Sequence, residues 1–245
     1  MPPLSAREVL LGAAGRTLVD VDGEREVVAL QPPASPARVA EIERELGFAL
    51  PRELRDLLAL TAGLELLESV DLASAGPCPW PGEQLFGSVL TLAGDGAGNY
   101  WVLELRPDRE ALGPVFFVCH DAPVLIYQSP DLATFLADYL RFSAAPHDGP
   151  IGEVVHGGVQ RVWLQRDDVP RAALLGSPDP VLRGFAERLA DGWFVRDLRR
   201  ARPGDGMSLG RFGPRTPLAR AGAELVFAYG SRTRLARLKT WIAGS

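Results

Sequence analysis

LAGDGAGNYWVLEL, residues 92–105, sets three glycines, an aspartate and an asparagine directly against a run of aromatic and branched apolar residues. The residues after the glycines decide the fold. A dinucleotide-binding turn needs G-x-G-x-x-G after a strand and before a helix, so that the pyrophosphate meets a helix N-terminus. Here Gly94, Gly96 and Gly98 are spaced G-x-G-x-G, and Tyr100-Trp101-Val102-Leu103 reads as strand. No lysine comes next in the P-loop manner, and the acidic spacing of a calcium loop starting at Asp95 fails. The stretch predicts a tight bend that leads the chain into a sheet and holds neither phosphate nor metal.

Two further β segments follow, GPVFFVCH (113–120) and APVLIYQ (122–128), joined by the turns RPDREALG and HDA. Such short gaps make antiparallel neighbours. Ser129-Pro130-Asp131 then opens a helix with Leu132, Phe135, Leu136, Tyr139 and Leu140 on its buried side. Upstream, Ser35 is an N-cap and Pro36 the first helical residue of a helix with Val39, Ile42 and Leu46 on one face, stopped at Gly47. Phe48-Ala-Leu50-Pro51 starts a second helix with Leu54, Leu57 and Leu58 inward, ending at Gly63. Ser5-x-x-Glu8 is a capping box for a short helix over Ser5–Leu11, and Asp22-Gly23 predicts a type I′ hairpin. GPCPWPG (76–82) is expected to be irregular.

Beyond these elements SAAPHDGPIG (143–152) has the composition of a linker. After it GVQRVWLQ (158–165) predicts a strand, and PVLRGFAERLADG a helix capped by Asp179 with Val181, Phe185 and Leu189 inward. WFVRDLR and ELVFAYG predict strands, and a last helix begins near Ser231 with Leu235, Leu238 and Trp241 at helical spacing. The expected class is α+β: an antiparallel sheet packed with helices over residues 1–145, then a smaller α+β C-terminal unit over 151–245, with no internal repeat.

Charge divides the same way. Residues 1–150 carry −12 and residues 151–245 carry +7, within a chain of net charge −5. This asymmetry points to two units with different partners, or to halves that face each other. The basic residues are arginine apart from Lys239, as a GC-rich coding sequence also produces, so arginine number alone does not indicate phosphate binding. With 47% hydrophobic and 23% charged residues the chain is globular. The apolar run VLLGAAG is short and abutted by Arg7 and Glu8, unlike a secretion signal, and no run approaches the roughly 18 residues of a membrane span. Cys78 and Cys119 form neither a disulfide framework nor a zinc spacing. The expectation is a cytoplasmic protein without metal or cofactor.

Three motifs invite catalytic readings. GMSLG (206–210) matches the G-x-S-x-G nucleophile elbow, but Pro203, Gly204 and Pro214 flank it and His120, His147 and His156 all precede Ser208, against the order that elbow requires. Cys119-His120-Asp121 suggests thiol chemistry, yet adjacent strand residues point to opposite faces. A buried cysteine beside a strand-end His120 and Asp121, available for recognition, fits better. Tyr100, Trp101, Phe116 and Phe117 read as core. Arg196, Arg199, Arg200, Arg202 and Arg211 near Trp193 and Phe194 leave a nucleic-acid contact open for the basic unit. No catalytic constellation emerges, so the expectation is not an enzyme.

The ordered set of Leu46-Gly47, Leu50-Pro51, Gly63, the glycine–aspartate loop before a strand and the closing helix ending in Phe135-Leu136 resembles the SUKH superfamily, the cell-wall-assembly-regulator-like (Smi/Knr) domains. The resemblance spans about residues 33–142 and departs at Asn99, where many relatives carry an acidic residue. It implies an α+β domain without catalysis. Many bacterial members are immunity proteins that bind a cognate toxin, often a nuclease, and fungal relatives are regulatory scaffolds. Two functions arise as expectations. One is a protein-binding module meeting a basic toxin domain through Asp95, Asn99, Tyr100, His120 and Asp121. The other is a regulatory scaffold whose basic C-terminal unit touches nucleic acid or another subunit. Membrane contact is not expected, and oligomeric state stays open.

Overall fold

A computed structural model describes residues 4–230 of the chain except 20, 21, 67, 68, 80, 211 and 214. The helix expected from Ser231 and the arginine at 211 lie outside the described residues.

The capping box forms as the sequence indicates. Ser5 Oγ accepts from Glu8 N, Glu8 Oε2 accepts from Ser5 N at 2.8 Å, and α1 runs over Ala6–Ala13. β1 (Thr17–Val19) and β2 (Arg25–Val27) follow as an isolated hairpin, with Val19 opposite Arg25. Five residues therefore connect these strands, and the two-residue type I′ turn expected at Asp22-Gly23 is not formed. β3 (Ala29–Leu30) leads to α2 (Pro36–Leu46), capped by Ser35 Oγ on Arg38 N, and α3 (Arg52–Leu58) follows after a short joint. α3 stops at Leu58, before the expected Gly63. Gly63 instead starts β4 (Gly63–Glu65), where a Cβ would lie 2.0 Å from the Val70 carbonyl oxygen of β5 (Val70–Asp71), so only glycine fits.

The main sheet has six antiparallel strands, of which five come next in the chain: β6 (Ala75–Pro77), β7 (Ser88–Gly94), β8 (Tyr100–Leu105), β9 (Val115–Cys119) and β10 (Val124–Ser129). GPCPWPG is therefore not wholly irregular. Gly76 and Pro77 sit in β6 at the sheet margin, where proline's missing N–H costs no ladder bond. α4 (Leu132–Phe142), capped by Asp131 Oδ1 on Thr134 N at 2.7 Å, packs Phe135 and Leu136 onto the sheet.

The stretch expected as a linker is packed. α5 (Pro150–Glu153) buries Ile151 in the same core as α4, and a π-helical turn over Val154–Gly158 runs into α6 (Val159–Leu164). GVQRVWLQ is thus helical and not a strand. Val155, Val159 and Trp163 recur every four residues and pack against the helical core, a 3.6-residue period that outweighs the β-branched content.

β11 (Val169–Pro170), α7 (Arg171–Leu174), α8 (Pro180–Arg188), β12 (Trp193–Asp197), β13 (Gly206–Ser208), β14 (Leu218–Arg220) and β15 (Val226–Gly230) complete the described residues. Asp179 caps α8 as expected, accepting from Val181 N at 2.9 Å. β13 pairs with β10, Met207 opposite Leu125, so the sixth strand of the main sheet is supplied by the C-terminal part. The other strands form a second sheet in the order β11-β12-β15-β14.

Alternation assigns each face. Trp101, Leu103, Phe117, Cys119, Val124 and Ile126 meet α1–α4, whereas Val102, Phe116, Val118, Leu125 and Tyr127 point the other way, onto Phe227 and Tyr229 of β15. The opposite face of β15, Val226 and Ala228, packs on Phe185 and Ala186 of α8. The order of layers is helices, main sheet, second sheet, helix. β9 (VFFVC) and β15 (VFAYG) are accordingly buried at every residue, and both read as unbroken apolar runs.

Candidate functional site

The residues singled out around the glycine loop meet at one end of the main sheet. Gly94 pairs with Tyr100 and closes a β7–β8 hairpin whose loop is residues 95–99. Asp95 organises that loop from inside. Its Oδ1 accepts from Ala97 N at 2.9 Å and Asn99 N at 3.0 Å, and its Oδ2 accepts from Asn99 Nδ2 at 2.6 Å. A carboxylate satisfied by neighbouring backbone N–H groups is a turn device.

Asn99, only 8% exposed, hands the network on. Its Oδ1 accepts from His120 N at 3.1 Å and lies 3.1 Å from His120 Nδ1. His120 Nε2 stands 3.1 Å from Asp121 Oδ1. The loop can lie this close because residue 98 has no side chain: Gly98 has φ +87°, and a Cβ there would sit 3.0 Å from His120 Cε1. Asp95, Asn99, His120 and Asp121 thus form one chain of contacts across two loops. Tyr100 does not join it; its ring packs among the residues facing the second sheet.

The outward part of this tip is small and polar. Asp121 is 80% exposed and His120 38%, and Gly96, Ala97 and Gly98 are exposed beside them. Cys119, one residue away, faces the helical core, and burial raises its thiol pKa. Cys78 is pushed up to about 12 by burial first, with Glu104 and Glu83 adding to it. Ser208 ends β13, and among the described residues no helix follows it as the nucleophile elbow requires. Its Oγ is buried without a hydrogen-bond partner among the described residues. No group of three or more His, Cys, Asp or Glu among the described residues is placed to hold a metal ion. No helix among them is long and apolar enough to cross a membrane.

Residues 33–138 match the SMI1 / KNR4 family (SUKH-1).

The match agrees with the resemblance read from the sequence at 33–142 and covers somewhat under half of the chain. No curated protein matches the chain. The SUKH-1 segment runs from just ahead of α2 into α4 and contains five of the six main-sheet strands and the whole tip. α1, the β1–β2 hairpin and everything from α5 onward lie outside it.

Of the C-terminal arginines singled out in the sequence, two are held in ion pairs among the described residues. Arg196 donates from Nη2 to Asp167 at 2.6 Å and from Nε to Asp168 at 2.7 Å. Arg199 donates from Nη2 to Asp179 at 2.6 Å and Asp197 at 2.7 Å. Arg200 and Arg202 are exposed. Sequence reasoning did not single out Glu104 and Arg220, which join the two sheets at 2.6 Å with side chains only 13% and 6% exposed. Glu104 interrupts an otherwise apolar strand, which was the available signal. Nor did it find the apolar groove of about 610 Å³ between α1 and α4, where Val9, Leu18 and Leu140 meet Arg16 and the Arg141–Asp148 pair.

Proposed function

We propose that the chain is a non-catalytic, cytoplasmic protein-binding module, an immunity protein that neutralises a cognate bacterial toxin through the acidic surface of residues 1–150. The observation that carries this reading is the tip of the SUKH-1 sheet. Asp95 and Asn99 are spent on fixing backbone, and the fixed backbone presents His120, Asp121 and a nearly side-chain-free loop to solvent. A surface already rigid before contact loses little conformational entropy on binding. Its setting, a segment of net charge −12, draws a basic partner and speeds encounter. The SUKH-1 match supports the same reading through the toxin-binding role that the family resemblance implies.

Tagged full-length chain, purified from its native cell at low salt, is expected to retain a basic protein and to release it as ionic strength rises. Asp121→Arg, at a position 80% exposed, should leave the fold intact and slow association several-fold. Retention of nothing, or of a partner indifferent to both salt and Asp121→Arg, would falsify the proposal.

A further inference from the structure

The groove between α1 and α4 lies in the part of the chain that is most apolar at its surface. Eight large apolar side chains are exposed among the described residues. Four of them, Leu4, Leu11, Val19 and Val27, fall ahead of the SUKH-1 segment, which itself exposes none of the eight. Apolar exposure concentrated in this way marks an interaction surface. Glu8, Leu11 and Gly12 share the outer face of α1, with Leu4 just ahead of its N-cap. Leu4, Glu8 and Gly12 line the groove, and Leu11, 47% exposed, stands beside it.

Gly12 needs a reason. Its φ is not positive, and a Cβ built on it would meet nothing within 4 Å outside its own helix. Alanine would therefore fit, and would strengthen the helix. Packing within the chain does not call for glycine there, whereas close approach of a second helix does. The charges identify that helix. Glu8 and Arg16, both exposed, lie four residues to either side of Gly12. Two copies of α1 crossing antiparallel at Gly12 bring Glu8 of each copy to Arg16 of the other, and Leu11 of each to the other's groove. A twofold contact requires just such a surface, complementary to itself. A partner of one sign would be repelled by one of the two charges.

We propose that two copies of the chain pair here about a twofold axis, α1 against α1. The surface shares no residue with the tip, and the pairing does not rest on the toxin-binding reading. Sedimentation velocity of the full chain over an about hundredfold range of concentration is expected to show a monomer–dimer equilibrium. Gly12→Gln, which fills the groove without touching the rest of its own chain, and Leu11→Glu should each weaken the dimer at least about tenfold. Arg16→Glu, which sets like charges opposite each other, should weaken it too. Gly12→Gln should not lower the melting temperature of the monomer, which separates lost pairing from lost folding. Leu164→Glu, at a residue 56% exposed but remote in the chain, should leave the equilibrium as it is. A monomer at every concentration, a dimer that Gly12→Gln and Leu11→Glu leave unchanged, or one that Leu164→Glu dissolves equally overturns the proposal.

Discussion

Asn99 shows how one side chain sets the shape of the tip. It is held between a carboxylate that needs a donor, Asp95 Oδ2, and a backbone N–H that needs an acceptor, His120 N. Only an amide meets both demands, which explains why an acidic residue is not found here: a second carboxylate would stand 2.6 Å from Asp95. Asn99→Ala is expected to cost about 1–3 kcal/mol in urea unfolding, because it strands a partly buried N–H. Asn99→Asp should cost at least as much at pH 7. The close pair raises one carboxyl's folded pKa above its unfolded value, so the deficit should shrink as pH falls from neutral through that raised pKa and change no further below about 4. Asp167 behaves oppositely. The hydrogen bond from Arg196 holds its pKa at about 2, below the ordinary 3.8. That contribution is complete above the unfolded pKa and is lost as pH falls toward about 2. Asp167→Asn should therefore flatten the acid limb of melting temperature against pH between about 4 and 2. Because Asp167 is mostly exposed, the loss at neutral pH should stay below about 1 kcal/mol.

At the scale of elements, Glu104 of β8 and Arg220 of β14 join the two sheets. Arg220 also lies over Phe86 at 5.2 Å and Phe227 at 5.3 Å, and donates from Nε to the Glu224 carbonyl at 2.9 Å. Breaking a buried ion pair from one side leaves an unpaired charge in low dielectric, so Glu104→Ala and Arg220→Ala should each cost about 3–5 kcal/mol. Their double variant should cost much less than the two together; strict additivity in denaturant titrations would rule out coupling. This contact was not legible in advance, since nothing in sequence pairs residues 116 positions apart. The legible features were local. The capping box at Ser5, the caps at Ser35, Asp131 and Asp179, and strands β8, β9, β10, β12 and β15 each carry their signal within a few residues. GVQRVWLQ misled because valine and tryptophan favour strands, while the packing of Val155, Val159 and Trp163 obeys a helical period that begins before the stretch itself.

Taken as one body, the chain shows why a division in charge and composition near 145–151 is not a division in packing. β13 extends the SUKH-1 sheet at β10, and Phe227 and Tyr229 cover its second face. Two-sided burial was written in VFFVC and VLIYQ, apolar at nearly every position where a half-exposed strand would alternate, but those residues do not name the layer that covers them. The tip was readable for the opposite reason: Asp95, the glycines and Asn99 are neighbours in sequence, and HDA is a turn by composition alone. The cover has a measurable consequence. A fragment ending at residue 145 would expose Val89, Val102, Phe116, Val118, Leu125 and Tyr127, all buried in the whole chain, together with the unpaired edge of β10. At about 1.5–3 kcal/mol for each large apolar side chain, the loss is on the order of 10 kcal/mol, comparable to the entire stability of an ordinary domain. The fragment should therefore bind a hydrophobic dye and aggregate, whereas the full chain should unfold in one cooperative transition. A monomeric, dye-silent fragment with native-like near-ultraviolet dichroism would mean that the SUKH-1 sheet can leave that face bare, and that the C-terminal part is an addition to it and not its second wall.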